Sequence, residues 1–173
     1  MKPILTPVDQ ALHAPYAVAL DHNQLIVGKW KTDILGCMMD DVVPNCLMST
    51  FCPCVALAQV THRVGMYKYW KVLVSFAALV LLFIFVVFLQ YEVSNAFVVA
   101  MWAVLFVALL LIAHVRRQVR QRFQIPGSSF EDVACSCFFS FCVIGQMAIH
   151  VEAYTPNVCS IRPKDTLPGY HQV

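Results

Sequence analysis

The chain is 173 residues long, 60% hydrophobic and only 13% charged, with a net charge of +2. Soluble domains carry roughly 25% charged residues, so this composition points away from an ordinary water-soluble globule, and the length suggests a single domain. The only concentrated positive charge is a short run without an aromatic ladder, which argues against a nucleic-acid partner.

Residues 1–28 read as a mixed N-terminal arm, expected to be poorly ordered. No secretory signal is expected: Met1-Lys2-Pro3-Ile4-Leu5 opens the chain, and Asp9 and His13 interrupt any apolar core. Lys2 excludes N-myristoylation, and Tyr170-His171-Gln172-Val173 is no prenylation box.

Trp30 to Thr61 is cysteine-rich and moderately apolar. It holds the run Cys46-Leu47-Met48-Ser49-Thr50-Phe51-Cys52-Pro53-Cys54. Pro53 suits the first turn of a helix passing through Val55, Ala58 and Gln59 towards His62. Two thiolates flanking one proline can meet a soft cation such as Zn²⁺, Cd²⁺ or Cu⁺. A closed zinc site usually has four ligands in C-x₂₋₄-C pairs, and the Cys52/Cys54 spacing differs from that. Juxtamembrane palmitoylation and plain packing are the competing readings.

Two uncharged apolar runs follow, Val72–Tyr91 and Val93–Val115, separated only by Glu92. Each is about 20 residues or slightly more, enough at ~1.5 Å per residue to cross a ~30 Å hydrocarbon layer. One continuous helix would be roughly 65 Å long and overshoot a bilayer. The pattern predicts a transmembrane hairpin, with spans over 72–91 and 95–115 and a turn near Gln90–Asn95. Lys68 and Lys71 precede the first span, Arg116, Arg117, Arg120 and Arg122 follow the second, and the turn has no Lys or Arg. Both ends of the hairpin are therefore expected in the cytoplasm. The four arginines are candidates for anionic lipid headgroups, against the alternative of a solvated basic face. All eight cysteines lie outside the spans, and in the cytosol they would be thiols rather than disulfides.

Arg116 to Gly127 reads as a basic connector ending in a Pro126-Gly127 turn. Ser128-Ser129-Phe130-Glu131 is a capping-box pattern opening a helix over 129–152. On one helix, Asp132, Cys135, Cys142, Gln146 and His150 would share a stripe. Cys135 and Cys142 would stand about 10 Å apart along the axis, too far to share one metal ion unless the helix breaks. The stripe is either a metal-handling or reactive face, or one side of a buried helix that uses Cys as a small hydrophobe. The run 133–151 is expected to be interfacial or re-entrant rather than a third span. Residues 153–173 read as a C-terminal tail.

Together these elements predict an all-α membrane protein. A two-span transmembrane helical hairpin is flanked by cysteine-rich helical segments, cytosolic or interfacial, in one membrane domain over 29–152.

Cys46-Leu47, four residues and Cys52-Pro53-Cys54 resemble the CLxxxxCPC signature of the placenta-specific-gene-8 cysteine-rich family. That family includes plant cadmium-resistance and fruit-weight-like proteins and cornifelin. Trp30, Cys37 and Asp40 precede the signature, and Gln59 follows it, at the family's spacing. Arg117–Gly127 resembles its basic stretch ending Phe-x-Ile-x-Gly. Asp132, Cys137, Cys142, Gln146 and Glu152 resemble its second block, although Phe139 and Gly145 stand where the outer cysteines of CxxCxxCQ would be. The resemblance covers about Trp30–Glu152, interrupted by the hairpin. It implies a small, self-associating plasma-membrane protein, with relatives linked to cadmium and zinc resistance, calcium influx and control of cell number.

Divalent-cation transport or homeostasis by an oligomer is one expected function. Its candidate ligands are Cys46, Cys52, Cys54, Asp40 and Cys142, with Asp132 and Glu152 as auxiliary oxygens, and zinc or another soft divalent cation as cargo or cofactor. A membrane scaffold or growth regulator with lipidated or buried cysteines is the alternative. Small residues (Ser75, Ala77 and Ala78; Ala96, Ala100 and Ala103) would let spans pack closely in a homo-oligomer. Catalysis is not expected: Cys54 and His62 would lie about 12 Å apart along a helix axis, too far for a nucleophile–base pair.

Overall fold

The computed structural model describes residues 19–39 and 42–170, apart from the side chains of Cys37 and Val42. Most of the expected arm, and Asp40, lie outside the described residues. Every regular element among the described residues is helical, beside one isolated antiparallel bridge between Leu20 and Ile26.

The first cysteine block folds as short pieces. A single turn, α1 (Gly36–Met39), comes first. A π-type turn covers Val42–Cys46, with Val43 extended ahead of Pro44 as the proline ring requires. Next come α2 (Leu47–Phe51) and α3 (Pro53–Arg63), separated at Cys52 (φ −133, ψ 56). Pro53 has no N–H to return to Ser49, so the helix restarts with Pro53 in its first turn. α3 closes in a Schellman motif: Gly65, at φ +67, lets Met66 N–H reach Thr61 O at 2.9 Å.

α4 (Tyr69–Glu92) and α5 (Val98–Arg122) are each long and apolar enough to cross a membrane. They lie against one another. The connection contains neither glycine nor proline. Ser94 caps it instead, its Oγ accepting from Ala96 N–H at 3.2 Å, and the short turn Asn95–Phe97 leads into α5. α5 does not stop at Val115. It runs on through the segment read as a connector, so helical periodicity divides its arginines: Arg116 and Arg120 face inward with Val119, while Arg117 and Arg122 face out.

The second block differs from the expected single helix over 129–152. It is two helices, α6 (Ser129–Phe138) and α7 (Ser140–His150), bent by 116° at Phe139. The expected N-cap is present, with Ser128 Oγ accepting from Glu131 N–H at 3.2 Å. The break has no local breaker residue. It follows from two competing docking surfaces, because α6 lies along α5 while α7 is buried against α3.

The core sits at one end of the long helices. Leu57 and Val60 of α3, Val119 of α5, and Val143 and Met147 of α7 meet Phe123 there. Leu25 and Leu167, from the segments read as arm and tail, are buried in the same core. The chain after Val151 is docked as a strap. Leu167 N–H donates to Arg63 O at 2.9 Å, Tyr69 Oη donates to Ile161 O at 2.7 Å, and Tyr170 Oη donates to Asp21 at 2.9 Å.

Candidate functional site

The densest chemistry lies where α5 leaves its apolar stretch. Arg116 and Arg120, one helical turn apart, point at Asp132 of α6. Arg120 Nε donates to both Asp132 oxygens, at 3.2 and 3.0 Å, and its Nη1 donates to Gly127 O at 2.8 Å. Arg116 Nε stands 3.3 Å from Asp132 Oδ1 without aiming its N–H at the oxygen. Arg116 Nη1 donates instead to Gln146 Oε1 at 2.6 Å, and Gln146 Nε2 donates to Thr32 O at 2.8 Å. Two guanidiniums against one carboxylate leave a surplus positive charge in a buried place. The Trp30 ring meets it, with the Arg116 guanidinium 4.8 Å from the ring centroid, a cation–π contact that strengthens when desolvated.

His150 closes the same cluster. Its ring stands edge-on to Phe123 and Trp30, at 4.6 and 5.2 Å between centroids, and Nδ1 accepts from Lys31 N–H at 3.2 Å. Burial, with Lys31 nearby, drives its pKa down to about 4, so the ring is neutral at physiological pH. The helix break is what assembles this lock. Asp132 on α6 and Gln146 on α7 approach Arg116 from two directions, which a shared stripe on one straight helix could not achieve.

The thiols are arranged differently. Cys46, Cys52, Cys54, Cys135 and Cys142 are half-buried, Cys137 and Cys159 are exposed, and all seven are free. Cys54 opens onto a groove of about 290 Å³ between α4 and α5, walled by Phe76, Leu79, Phe83, Leu105 and Ile112, with Ser140 and Phe141 at its edge. Burial pushes the Cys54 thiol up, and neighbouring Cys52 adds to the shift. The expected ligand set does not converge: among the described residues no group of three or more His, Cys, Asp or Glu side chains is placed to hold a metal ion. Cys46, Cys52, Cys54 and Cys142 therefore form no such cluster, and Asp40 lies outside the described residues.

The expected headgroup residues divide too. Arg116 and Arg120 are consumed by the lock, buried against Asp132. Arg122 Nη1 donates to Val64 O at 2.5 Å and lies over Tyr170. Arg117 is exposed, as are Lys68 and Lys71 at the head of α4.

A family model, the PLAC8 family, matches residues 30–150. The chain belongs to the PLAC8 family. Neither the curated proteins nor the solved structures yield a match.

Several of the residues that carry the resemblance have structural work. Trp30, Asp132 and Gln146 build the lock. Gln59 Nε2 donates to Ser160 O at 2.7 Å and fastens the strap. Glu152 pairs with Lys31 at 2.7 Å, and Pro53 restarts α3. Cys137 is exposed, and the side chain of Cys37 lies outside the described residues. Thr32 escaped the sequence reading, which named Arg116 and Arg120 only as headgroup candidates and His150 only as a member of the stripe. The signal for the arginines was their spacing of one helical turn on a continuation of the span.

Proposed function

We propose that this PLAC8 member is an integral membrane scaffold. α4 and α5 cross the bilayer as a hairpin and hold a locked, cysteine-bearing head at its cytoplasmic face, with both termini on that side. Almost none of the two apolar windows is covered by the rest of the chain, 6% and 11% being buried, so lipid or another copy must cover them. Lys68, Lys71 and Arg117 supply the cytoplasmic charge and the contacts to anionic headgroups. The family resemblance supports the plasma membrane as the compartment. The small exposed residues Ser75, Ala78 and Ala103 support a homo-oligomer, and no catalytic role is proposed.

The apolar lining of the gap between α4 and α5 carries this reading. An ion path must replace a hydration shell with polar groups, and Phe76, Leu79, Phe83, Leu105 and Ile112 offer none. The test is flux of zinc and cadmium into proteoliposomes with a trapped indicator dye. The scaffold predicts leakage equal to that of empty vesicles. Flux above that level, lost in Cys52→Ser/Cys54→Ser, would establish transport.

A second reading is soft-cation homeostasis by binding. It is favoured by the free thiols Cys52 and Cys54 on either side of Pro53, which suit zinc or cadmium. Metal content per chain, compared between wild type and Cys52→Ser/Cys54→Ser, decides it. Stoichiometric metal lost in the variant supports binding; equal content removes these thiols from it.

A further inference from the structure

We propose that the two corners where the cysteine helices break, at Cys52 and at Phe139, sit inside the cytoplasmic leaflet as re-entrant elbows covered by the acyl chains of the bilayer. The proposal rests on the reading that α4 and α5 span the membrane.

Depth is the first argument. Cys54 and Phe141, each two residues beyond a corner, share one groove with Phe76, Leu79 and Ile112. Phe76 is about 8 Å along its helix from exposed Lys71, and Ile112 about 8 Å from exposed Arg117. If Lys71 and Arg117 mark the headgroups, both corners lie beneath them.

Composition is the second. No charged residue occurs between Val42 and Thr61, or between Val133 and Ile149. Phe51 is 76% exposed and Phe138 81% exposed, one at each corner. Large apolar groups gathered this way mark a surface with an apolar partner. Continuity with the bare faces of α4 and α5 makes that partner the hydrocarbon.

The third argument is the backbone. Non-helical backbone at membrane depth requires satisfied hydrogen bonds. Cys52 N–H donates to Met48 O at 3.0 Å, and Cys52 O accepts from Val55 and Ala56 N–H, each at 3.0 Å. Phe139 N–H donates to Cys135 O at 2.8 Å, and Phe139 O accepts from Val143 N–H at 2.8 Å. Finally, α6 and α7 together are apolar enough to pass as one span, but their 116° bend returns the chain to the side it came from.

Trp fluorescence in vesicles of acyl-brominated phosphatidylcholine tests this. In a Trp70→Phe background, native Trp102 reports on α5. In Trp70→Phe/Trp102→Phe, an added Phe138→Trp or Phe51→Trp reports on one elbow each, so one variant that fails to fold leaves the other. Half-buried Trp30 is common to all and is subtracted. The proposal predicts that bromine removes most of the emission of Trp102 and of each elbow reporter, while aqueous iodide removes little. Quenching of Trp102 alone, with elbow reporters open to iodide, overturns the elbows and leaves the spans standing. Elbow reporters shielded from both quenchers overturn the proposal in favour of a second copy of the chain. Bromine-insensitive Trp102 overturns the spanning reading itself.

Discussion

Asp132 faces two guanidiniums in a buried place. Removing its charge by Asp132→Asn leaves Arg116 and Arg120 uncompensated, and breaking such a buried pair costs about 3–5 kcal/mol. Thermal unfolding in detergent micelles should show that loss, whereas exposed Arg117→Gln should stay within about 0.5 kcal/mol of wild type. His150 adds a pH dependence. Its folded pKa is about 4 against an ordinary 6.5, so the unfolded chain binds the extra proton between those values. Stability from the neutral ring is therefore complete above about 6.5 and falls as pH drops towards 4. Burial lowers the pKa of His62 as well, and its contribution has the same sign. Unfolding midpoints over that pH range should slope downward with acid, and His150→Asn should flatten the slope. An unchanged slope in the variant would remove His150 from the explanation.

Helix ends and helix breaks decide how the elements meet. α5 closes with Gln124 at φ +53, and Ile125 N–H bonds to Arg120 O at 2.9 Å. An L side chain in the left-handed region costs roughly 1–2 kcal/mol. Gln124 is exposed, so Gln124→Gly should raise the stability in micelles by up to about that much, less the extra entropy glycine loses on folding; a lower stability would mean the Gln side chain contributes more than the strain. Gly127, at φ +148, is the opposite case. A Cβ there would stand 3.2 Å from Glu131 and 3.3 Å from the Arg120 side chain, so Gly127→Ala should be destabilising in the same assay. The long helices were legible because uncharged runs of bilayer length admit few other folds. The cap at Ser128 and the restart at Pro53 were legible because both act through their own backbone neighbourhood. The break at Phe139 was not, because no residue there forbids a helix and docking on two different neighbours imposes it. The inward turn of Arg116 and Arg120 was hidden for a related reason: charge beside a span suggested lipid headgroups, and only the third dimension supplies Asp132, Trp30 and Gln146.

The whole molecule is a bare apolar helix pair carrying a compact head at one end. Trp30, Gln59, Asp132, Gln146 and Glu152 serve to hold that head together, and the outer helix faces stay uncovered. The sidedness of this arrangement is what most needs measuring, by impermeant maleimide labelling of sealed microsomes whose cytoplasmic face is outward. Cys159, exposed in the strap, should label without detergent. Ser94→Cys, in the turn between α4 and α5, should add a label only after the membrane is opened. Labelling of Ser94→Cys in sealed vesicles, or protection of Cys159, would contradict a two-span hairpin with a cytoplasmic head.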